Sequence, residues 1–258
     1  MRVHVSGITM SYEAIGSGTP LVLLHALGLD SRQWRWQLDA FAANHRVITV
    51  DLRGHGSSGK PAGPYAIGQM AADVRGFFGA IGIDAADIIG LSMGGMVAQA
   101  LALDHPTTVR SLILADTTCE YPPEARQQFE ARARMAETQG MAPLAAAMPE
   151  RWFPPEFIRD HPNLVGEIQA IVAANDASAY AAACRAVGAV DFGSRIGEIR
   201  CPTLVVVGDS DPGTPPAVAA RLQQSIPGAR LTIIEHASHL SNICQPAAFN
   251  AAGAAFLG

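Results

Sequence analysis

Short, nearly continuous apolar runs that alternate with helical stretches constrain the fold of this chain most strongly. Branched apolar residues dominate four such runs, at residues 21–24, 46–50, 86–89 and 111–114. Runs of this kind are typical of strands buried on both faces of a parallel sheet. Apolar spacings of three and four predict helices between them, at residues 34–43, 67–81 and 93–103. Such helices can cross back over the sheet as right-handed connections, so the pattern predicts an α/β fold.

The two ends of the chain extend this predicted sheet. Residues 2–5 and 8–14 alternate in polarity around Ser6-Gly7, which predicts an opening antiparallel hairpin. Near the other end, strands are predicted at residues 203–207 and 230–234, and helices near 217–224 and over 246–257. Together the runs predict a mostly parallel eight-stranded sheet flanked by helices.

The middle of the chain breaks the alternation. After Pro122 and Pro123, residues rich in Ala, Arg, Glu and Gln show helical spacing and no convincing strand. We therefore predict a core formed by residues 1–119 and 198–258, with a helical cap, or lid, at residues 120–197 over the carboxyl edge of the sheet.

Composition excludes several classes of protein. Hydrophobic residues make up 49% of the chain and charged residues 16%, which provides ample apolar surface for a packed core. The net charge of −5 and the scattered arginines argue against a nucleic-acid partner. The longest uncharged run, residues 88–103, is shorter than the roughly 20 residues that span a bilayer. No membrane partner is expected, while a homo-oligomer remains open.

Two further features suggest a cytoplasmic protein. The first twelve residues are polar and alternating, unlike the basic start and apolar run of a secretory signal. The four cysteines, Cys119, Cys184, Cys201 and Cys244, lie far apart and form no metal-binding or dense disulfide pattern. We expect them to be buried free thiols in a reducing compartment.

The sequence Gly90-Leu91-Ser92-Met93-Gly94 lies between a predicted strand and a predicted helix. A sharp turn at this place presents a serine hydroxyl above the sheet, and the small residues on either side let strand and helix approach closely. Serine is a weak nucleophile unless a neighbouring base accepts its proton. The pattern therefore predicts that a histidine and a carboxylate lie nearby.

Candidate partners follow later strands. Asp209 and Asp211 come directly after the strand at 203–207, and His236 and His239 follow the strand at 230–234. Asp116, after the strand at 111–114, is a further candidate acid. Carboxyl ends of parallel strands are where open α/β sheets place their sites, and the order Ser, Asp, His is the one found in α/β-hydrolases.

An oxyanion requires two backbone N–H donors, one from the residue after the nucleophile and one from the loop after the third strand. These positions are Met93 and Leu27. His25 is interpreted as a structural histidine bonded within this loop. The loop at residues 51–58 is likewise expected to be held in place by its charged residues and to perform no chemistry.

These motifs resemble those of the α/β-hydrolase superfamily and, more narrowly, bacterial 3-oxoadipate enol-lactonases. Four stretches carry the narrower resemblance: Asp51-Leu52-Arg53-Gly54-His55-Gly56, Gly90-Leu91-Ser92-Met93-Gly94-Gly95-Met96, Glu150-Arg151-Trp152-Phe153 and His239-Leu240-Ser241-Asn242-Ile243. Cys244 departs from the pattern, since the lactonases usually carry an acidic residue there. Ala26 also departs, because many relatives have glycine after the histidine at position 25.

The resemblance implies a catalytic triad of Ser92, Asp211 and His239 that opens a carboxylated enol-lactone of aromatic catabolism, with no metal or organic cofactor. It also implies a cation for the substrate carboxylate, for which Arg151 beside Trp152 is the candidate. Arg151 is alternatively a surface arginine and Trp152 a core residue. A carboxylesterase of small esters would use the same triad, and a non-catalytic ligand-binding relative would keep only the pocket.

Overall fold

A single eight-stranded sheet forms the centre of the protein in a computed structural model that describes residues 1–5 and 7–258. Its strands, in chain order, are β1 (Arg2–Val5), β2 (Ile8–Ile15), β3 (Thr19–Leu24), β4 (His45–Val50), β5 (Ala86–Leu91), β6 (Val109–Ala115), β7 (Thr203–Gly208) and β8 (Arg230–Ile234). Their spatial order is β1-β2-β4-β3-β5-β6-β7-β8. The first two strands run antiparallel to their neighbours and the remaining pairs are parallel. The predicted mostly parallel sheet is confirmed.

The opening hairpin also forms, with Val5 opposite Ile8. Part of its predicted turn, Ser6, lies outside the described residues. The two central strands β3 and β5 are almost wholly apolar and buried where they pair, as expected of strands covered on both faces.

The helices, in chain order, are α1 (Leu38–Ala42), α2 (Ile67–Ala80), α3 (Met93–Asp104), α4 (Pro123–Gln139), α5 (Ala142–Ala147), α6 (Pro149–Trp152), α7 (Pro155–Asp160), α8 (Pro162–Ala173), α9 (Ala177–Gly188), α10 (Pro216–Ser225), α11 (Ser241–Cys244) and α12 (Pro246–Leu257). Short 3₁₀ turns cover Ser31–Trp34, Pro106–Thr108 and Ile196–Glu198. Helix α3 packs against β5, β6 and α2 and is buried almost throughout, which explains its nearly uninterrupted apolar sequence.

The helix predicted over residues 34–43 is only partly present. The chain forms the 3₁₀ turn Ser31–Trp34, a further turn from Gln37 N–H to the Trp34 carbonyl at 2.9 Å, and then the short helix α1. The Gln37 side-chain amide donates to the Asn242 carbonyl at 3.1 Å and to Asn250 Oδ1 at 3.0 Å. These contacts are about two hundred positions away in the chain, so the local apolar spacing does not contain them.

Helices α4 to α9 form the helical segment above the carboxyl edge, with α4 packed along α9. Arg185 of α9 ties them together by pairing with Glu130 and Glu137 of α4. At the base of the segment an antiparallel bridge joins Glu120 to Asp191. The chain therefore leaves the core and returns to it at one place, and the division into a core and a cap at residues 120–197 stays a prediction.

Within the described residues, no helix is long and apolar enough to cross a membrane. The four cysteines are free thiols. Cys184 and Cys244 are buried as expected, whereas Cys119 and Cys201 are partly exposed. The expectation of burial was wrong for these two because each lies in a connecting segment at the surface, just outside a strand.

Candidate active site

Ser92 occupies a strained turn between β5 and α3. Its backbone has φ 54° and ψ −115°, in the left-handed half of conformational space that side chains rarely adopt. The glycines around it are required by close approach: a Cβ at Gly90 would meet the Gly94 carbonyl, and a Cβ at Gly94 would meet the Leu24 carbonyl. The turn thus holds the Ser92 side chain at the carboxyl edge of the sheet.

The structure brings Ser92, His239 and Asp211 into one hydrogen-bonded chain. His239 Nε2 lies 2.9 Å from Ser92 Oγ, and His239 Nδ1 lies 2.8 Å from Asp211 Oδ2. With the imidazole proton on Nδ1, the ring donates to the carboxylate and accepts the serine hydroxyl. This is the arrangement in which a histidine can act as general base toward a serine.

The loop after β7 prepares Asp211 for this contact. The N–H groups of Gly213 and Thr214 donate to Asp211 Oδ1 at 2.7 and 3.1 Å, and the Thr214 hydroxyl donates to Oδ2 at 2.5 Å. Burial alone would raise the pKa of Asp211, but His239 and these donors outweigh burial and lower it. Burial likewise disfavours charged His239, but the Asp211 carboxylate outweighs it and raises the pKa of the imidazole. Asp211 therefore stays ionised beside a strengthened base.

The alternative acids and histidine take other positions. Asp209 accepts the N–H groups of His236 and Ala237 at 2.9 and 3.2 Å and so shapes the loop after β8. His236 is exposed and has a positive φ of 56°. Asp116 is buried at the end of β6, where it bonds Gly208 and Ser241, while Asp211 is the residue bonded to His239.

The two expected oxyanion donors lie at the start of α3 and in the loop after β3. Among the described residues, neither the Leu27 nor the Met93 backbone N–H donates to a protein acceptor. The Leu27 side chain lines the cavity beside Ser92. The loop that carries Leu27 is held by Gln33, whose side-chain oxygen accepts the Ala26 N–H at 2.9 Å. Two N–H groups are thus left available for a ligand oxygen.

His25 supports this loop from below. Its Nδ1 donates to the Ala26 carbonyl at 2.8 Å, and its Nε2 accepts the Leu52 N–H at 2.9 Å. Burial lowers the pKa of His25, which keeps the ring neutral as this pair of bonds requires. The residue connects the loop after β3 to the loop after β4.

The loop at residues 51–58 is fixed by its own charged groups. Asp51 accepts the N–H groups of Ser31 and Ser57 at 2.9 and 2.8 Å. Arg53 forms two hydrogen bonds of 2.7 Å to Asp73 on α2, and both side chains are buried. This network is a structural support for the core beneath the site.

A cavity of about 220 Å³ opens between the core and the helices above it. Ser92, His239 and Leu27 line its floor, and Trp152, Phe129 and Tyr180 are among its aromatic walls. Trp152 is tied to the catalytic side, because its carbonyl accepts the Leu240 N–H at 3.3 Å. The space suits a small substrate, since drug-sized ligands usually occupy larger pockets.

Two arginines, Arg132 of α4 and Arg151 of α6, line the same cavity. Every other arginine between residues 120 and 197 pairs with a carboxylate; these are Arg126, Arg134, Arg159, Arg185 and Arg195. Among the described residues, neither Arg132 nor Arg151 does so, and the Arg132 Nε atom is buried without a partner. Partial burial at the cavity wall, and then the neighbouring Arg132 charge, lower the pKa of Arg151, although much of the Arg151 side chain remains accessible.

Sequence reasoning singled out Arg151 but missed Arg132. The signal was present in α4, where Ala125, Gln128, Phe129 and Arg132 recur at spacings of three and four and all line the cavity. Arg126 and Arg134 lie on the same helix, so helical spacing alone did not distinguish the arginine that lines the cavity with Ser92.

Comparisons with known proteins agree with this architecture. Residues 21–252 match the model of the alpha/beta hydrolase family. 3-oxoadipate enol-lactonase 2 of Acinetobacter baylyi is 36% identical over 94% of this chain and 91% of its own length. A putative carbamate hydrolase, RutD, of Azorhizobium caulinodans is 31% identical over 96% of this chain and 94% of its own length.

A solved structure extends the comparison. The crystal structure of the enol-lactonase from Burkholderia xenovorans LB400 superposes with a TM-score of 0.95 at 34% identity, covering 100% of this chain and 99% of that one. The resemblance to enol-lactonases inferred from the motifs is confirmed at the level of sequence and fold. The chain is a hydrolase that belongs to the alpha/beta hydrolase family.

Proposed function

We propose that the protein is a serine hydrolase that opens a small carboxylated enol-lactone of the 3-oxoadipate type. One observation carries the proposal: the hydrogen-bonded chain Ser92–His239–Asp211 ends in the same cavity as two arginines that have no carboxylate partner within the described part of the chain. The chain supplies a nucleophile for an ester carbonyl, and the arginines supply a site for an anionic arm.

The acylation step follows from the positions of these groups. Ser92 Oγ attacks the lactone carbonyl while its proton passes to His239 Nε2, 2.9 Å away. The carbonyl oxygen becomes an oxyanion, which the N–H groups of Leu27 and Met93 bind. When the carbonyl re-forms, the bond to the ring oxygen breaks. This oxygen takes the proton from the His239 imidazolium and leaves as an enol that becomes a ketone, so His239 is neutral again.

Deacylation uses the same residues. Water gives a proton to His239 and attacks the acyl carbon, after which Ser92 recovers its hydrogen from the imidazolium. Asp211 keeps the histidine in the required tautomer and stabilises its charged form. The strained turn at Ser92 holds its Oγ atom at the edge of the cavity in both steps.

The carboxylate arm of the substrate is assigned to Arg132 and Arg151. A guanidinium can bind a carboxylate through two parallel hydrogen bonds, and the buried Arg132 Nε still lacks an acceptor. The net charge of −5 gives no general attraction for an anion, so these local charges must select it. Trp152 completes the wall on the same side.

The second candidate is a carboxylesterase of small uncharged esters. The aromatic walls formed by Phe129, Trp152 and Tyr180 favour it, because they bind an apolar group without a charge. The named activities of the relatives, an enol-lactonase and a putative carbamate hydrolase, both attack carbonyl carbons bearing a heteroatom. The choice between lactone and ester therefore depends on the arginines.

The experiment is to supply purified protein with 3-oxoadipate enol-lactone and to follow its ring opening. We expect turnover by the wild type and a loss of about 10⁵- to 10⁶-fold in kcat for Ser92→Ala, as loss of a triad nucleophile causes. Ser57→Ala is a suitable control, because Ser57 lies in the supporting loop and contributes its backbone N–H there. Turnover that persists in Ser92→Ala would disprove the mechanism.

A further inference from the structure

A second buried carboxylate, that of Asp116, lies directly behind the triad. Asp116 follows β6, has a positive φ of 47° and is completely buried. Its Oδ1 accepts the Gly208 N–H at 2.9 Å. Its Oδ2 accepts the Ser241 hydroxyl at 2.5 Å and the Ser241 N–H at 3.3 Å. A strained, buried carboxylate with three donors is a costly feature for a core to keep.

These contacts reach the loop that carries Asp211 and the segment that follows His239. Gly208 is the last residue of β7 and precedes Asp211 by three positions, while Ser241 follows His239 by two and begins α11. The Asp116 N–H also donates to the Val206 carbonyl of β7 at 2.9 Å. One side chain therefore connects the ends of β6 and β7 to the segment behind the histidine.

The position of Gly208 shows how tightly these loops are packed. A Cβ at Gly208 would meet the carbonyl oxygens of Ala237 and Ser238, which belong to the loop after β8. The Ser210 N–H also donates to the Ala237 carbonyl at 3.0 Å. The two loops are packed and hydrogen-bonded against each other, and Asp116 connects them to the end of β6.

Asp116 also interacts electrostatically with the residues around it. Among the described residues, no Lys or Arg forms an ion pair with it. The titratable groups that act on it and on His239 are Asp211 after β7, Arg132 of α4 and the His239 ring itself; Cys244 of α11 also lies within its influence. Burial, and then the negative charge of Asp211, raise the pKa of Asp116 to about 7. Its charge in turn contributes to the raised pKa of His239.

We propose that Asp116 is a positioning residue for the triad: it fixes the Asp211 and His239 loops through Gly208 and Ser241, and its negative charge stabilises the His239 imidazolium. The inference rests on the proposed serine-hydrolase mechanism but not on the lactone substrate. It assigns a role to the aspartate that the sequence offered as a rival acid.

The test measures the reactivity of Ser92 directly, with a fluorophosphonate probe. The Ser92 Oγ–P bond forms, the P–F bond breaks, fluoride leaves and the serine proton passes to His239, so the rate reports the base without any ester substrate. The second-order labelling rate is measured from pH 5 to pH 9 for the wild type, Asp116→Asn and Ser241→Ala. Thermal unfolding of each variant shows whether it is folded.

For Asp116→Asn we expect labelling at pH 8 to fall about 10- to 100-fold, because a misplaced base costs this much. His239 must be neutral to act as base, so labelling is lost as the pH falls through its pKa. Because the pKa of Asp116 is raised to about 7, its charge is present only toward the upper end of this limb. Removing that charge lowers the pKa of His239, and the acid limb should move about 0.3 unit to lower pH. Ser241→Ala should shift it in the same direction by less, because it removes one donor that keeps Asp116 ionised.

Asp209→Asn is the matched control, since Asp209 also accepts backbone N–H groups of the loop after β8 but is exposed. It should leave the acid limb in place. A folded Asp116→Asn variant whose labelling rate and acid limb are unchanged would overturn the proposal. A slower labelling rate with no shift of the acid limb, in Asp116→Asn or in Ser241→Ala, would overturn it as well. If the wild type is labelled normally but does not hydrolyse the enol-lactone, only the substrate assignment is wrong. If Ser92 is not labelled at all, both the triad and this inference are wrong.

Discussion

The carboxyl edge of the core and the helical surface above it hold their charged groups in opposite ways. In the core, Asp211 accepts four hydrogen bonds and Asp116 accepts three. On the helices, Arg132 and Arg151 line the same cavity and, within residues 1–5 and 7–258, have no carboxylate partner, although Arg134 and Arg185 are paired. The core is therefore organised for a reaction before substrate arrives, while the helices retain charge for a ligand to neutralise.

The largest effect on activity should come from a substitution at the carboxyl edge of the core. Asp211→Asn removes the charge that holds His239 in its tautomer, so we expect kcat to fall by about 10⁴-fold with the fold intact. Steady-state hydrolysis of p-nitrophenyl acetate, with circular dichroism as a check on folding, measures it. Asp209→Asn should keep most of the activity; a comparable loss in both variants would mean that Asp211 acts only by shaping its loop.

The core should tolerate substitution of its glycines less well than helices α4 to α9 do. Gly94→Ala places a methyl group against the Leu24 carbonyl, and we expect the free energy of unfolding to fall by about 2 to 3 kcal/mol. Gly166→Ala in α8 meets no atom within 4 Å and should raise it by about 0.5 to 1 kcal/mol through helix propensity. Urea unfolding of both variants checks the contrast, which fails if Gly94→Ala is as stable as the wild type.

The unpaired arginines should affect binding of a charged substrate and spare the chemistry. Arg132→Ala should raise KM for the enol-lactone about 10- to 100-fold, the effect of losing hydrogen bonds to a charged group, and change KM for p-nitrophenyl acetate little. Arg134→Ala, two positions away in the same helix and paired with Glu130, is the control. Equal effects of Arg132→Ala on both substrates would make Arg132 a structural residue.

Arg151→Ala should act in the same direction but more weakly. Arg151 is only partly buried, so water screens its charge, and we expect KM for the enol-lactone to rise about 3- to 10-fold. The same comparison with p-nitrophenyl acetate measures this effect. A larger effect than that of Arg132→Ala would place the carboxylate at the rim of the cavity.

The smallest effect concerns the pH profile. His239 must be neutral to accept the serine proton, so kcat/KM rises with pH through its pKa. Because Asp211 outweighs burial and raises that pKa above its usual 6.5, the acid limb of kcat/KM should have its midpoint above pH 6.5. A midpoint below this value would show that burial outweighs the carboxylate.

The same contrast explains which features the sequence predicts. Strand ends locate Ser92, Asp211 and His239, because parallel strands bring their carboxyl ends to one edge whatever the loops contain. The role of Asp116 depends on Ser241, 125 positions away, and the shortened helix near Trp34 depends on Gln37 reaching Asn242. Arg132 differs from Arg134 of the same helix in the face of α4 on which it lies, since Arg132 lines the cavity and Arg134 pairs with Glu130. Long-range partners of this kind leave no local periodicity to detect.

The most direct test of the account is the ratio of kcat/KM for 3-oxoadipate enol-lactone to that for p-nitrophenyl acetate, measured on the wild type and on Arg132→Ala. If the cavity combines the triad with an anion site, the wild type prefers the lactone and the ratio falls at least about tenfold in the variant. A wild type that prefers the uncharged ester, with a ratio that Arg132→Ala leaves unchanged, would contradict it.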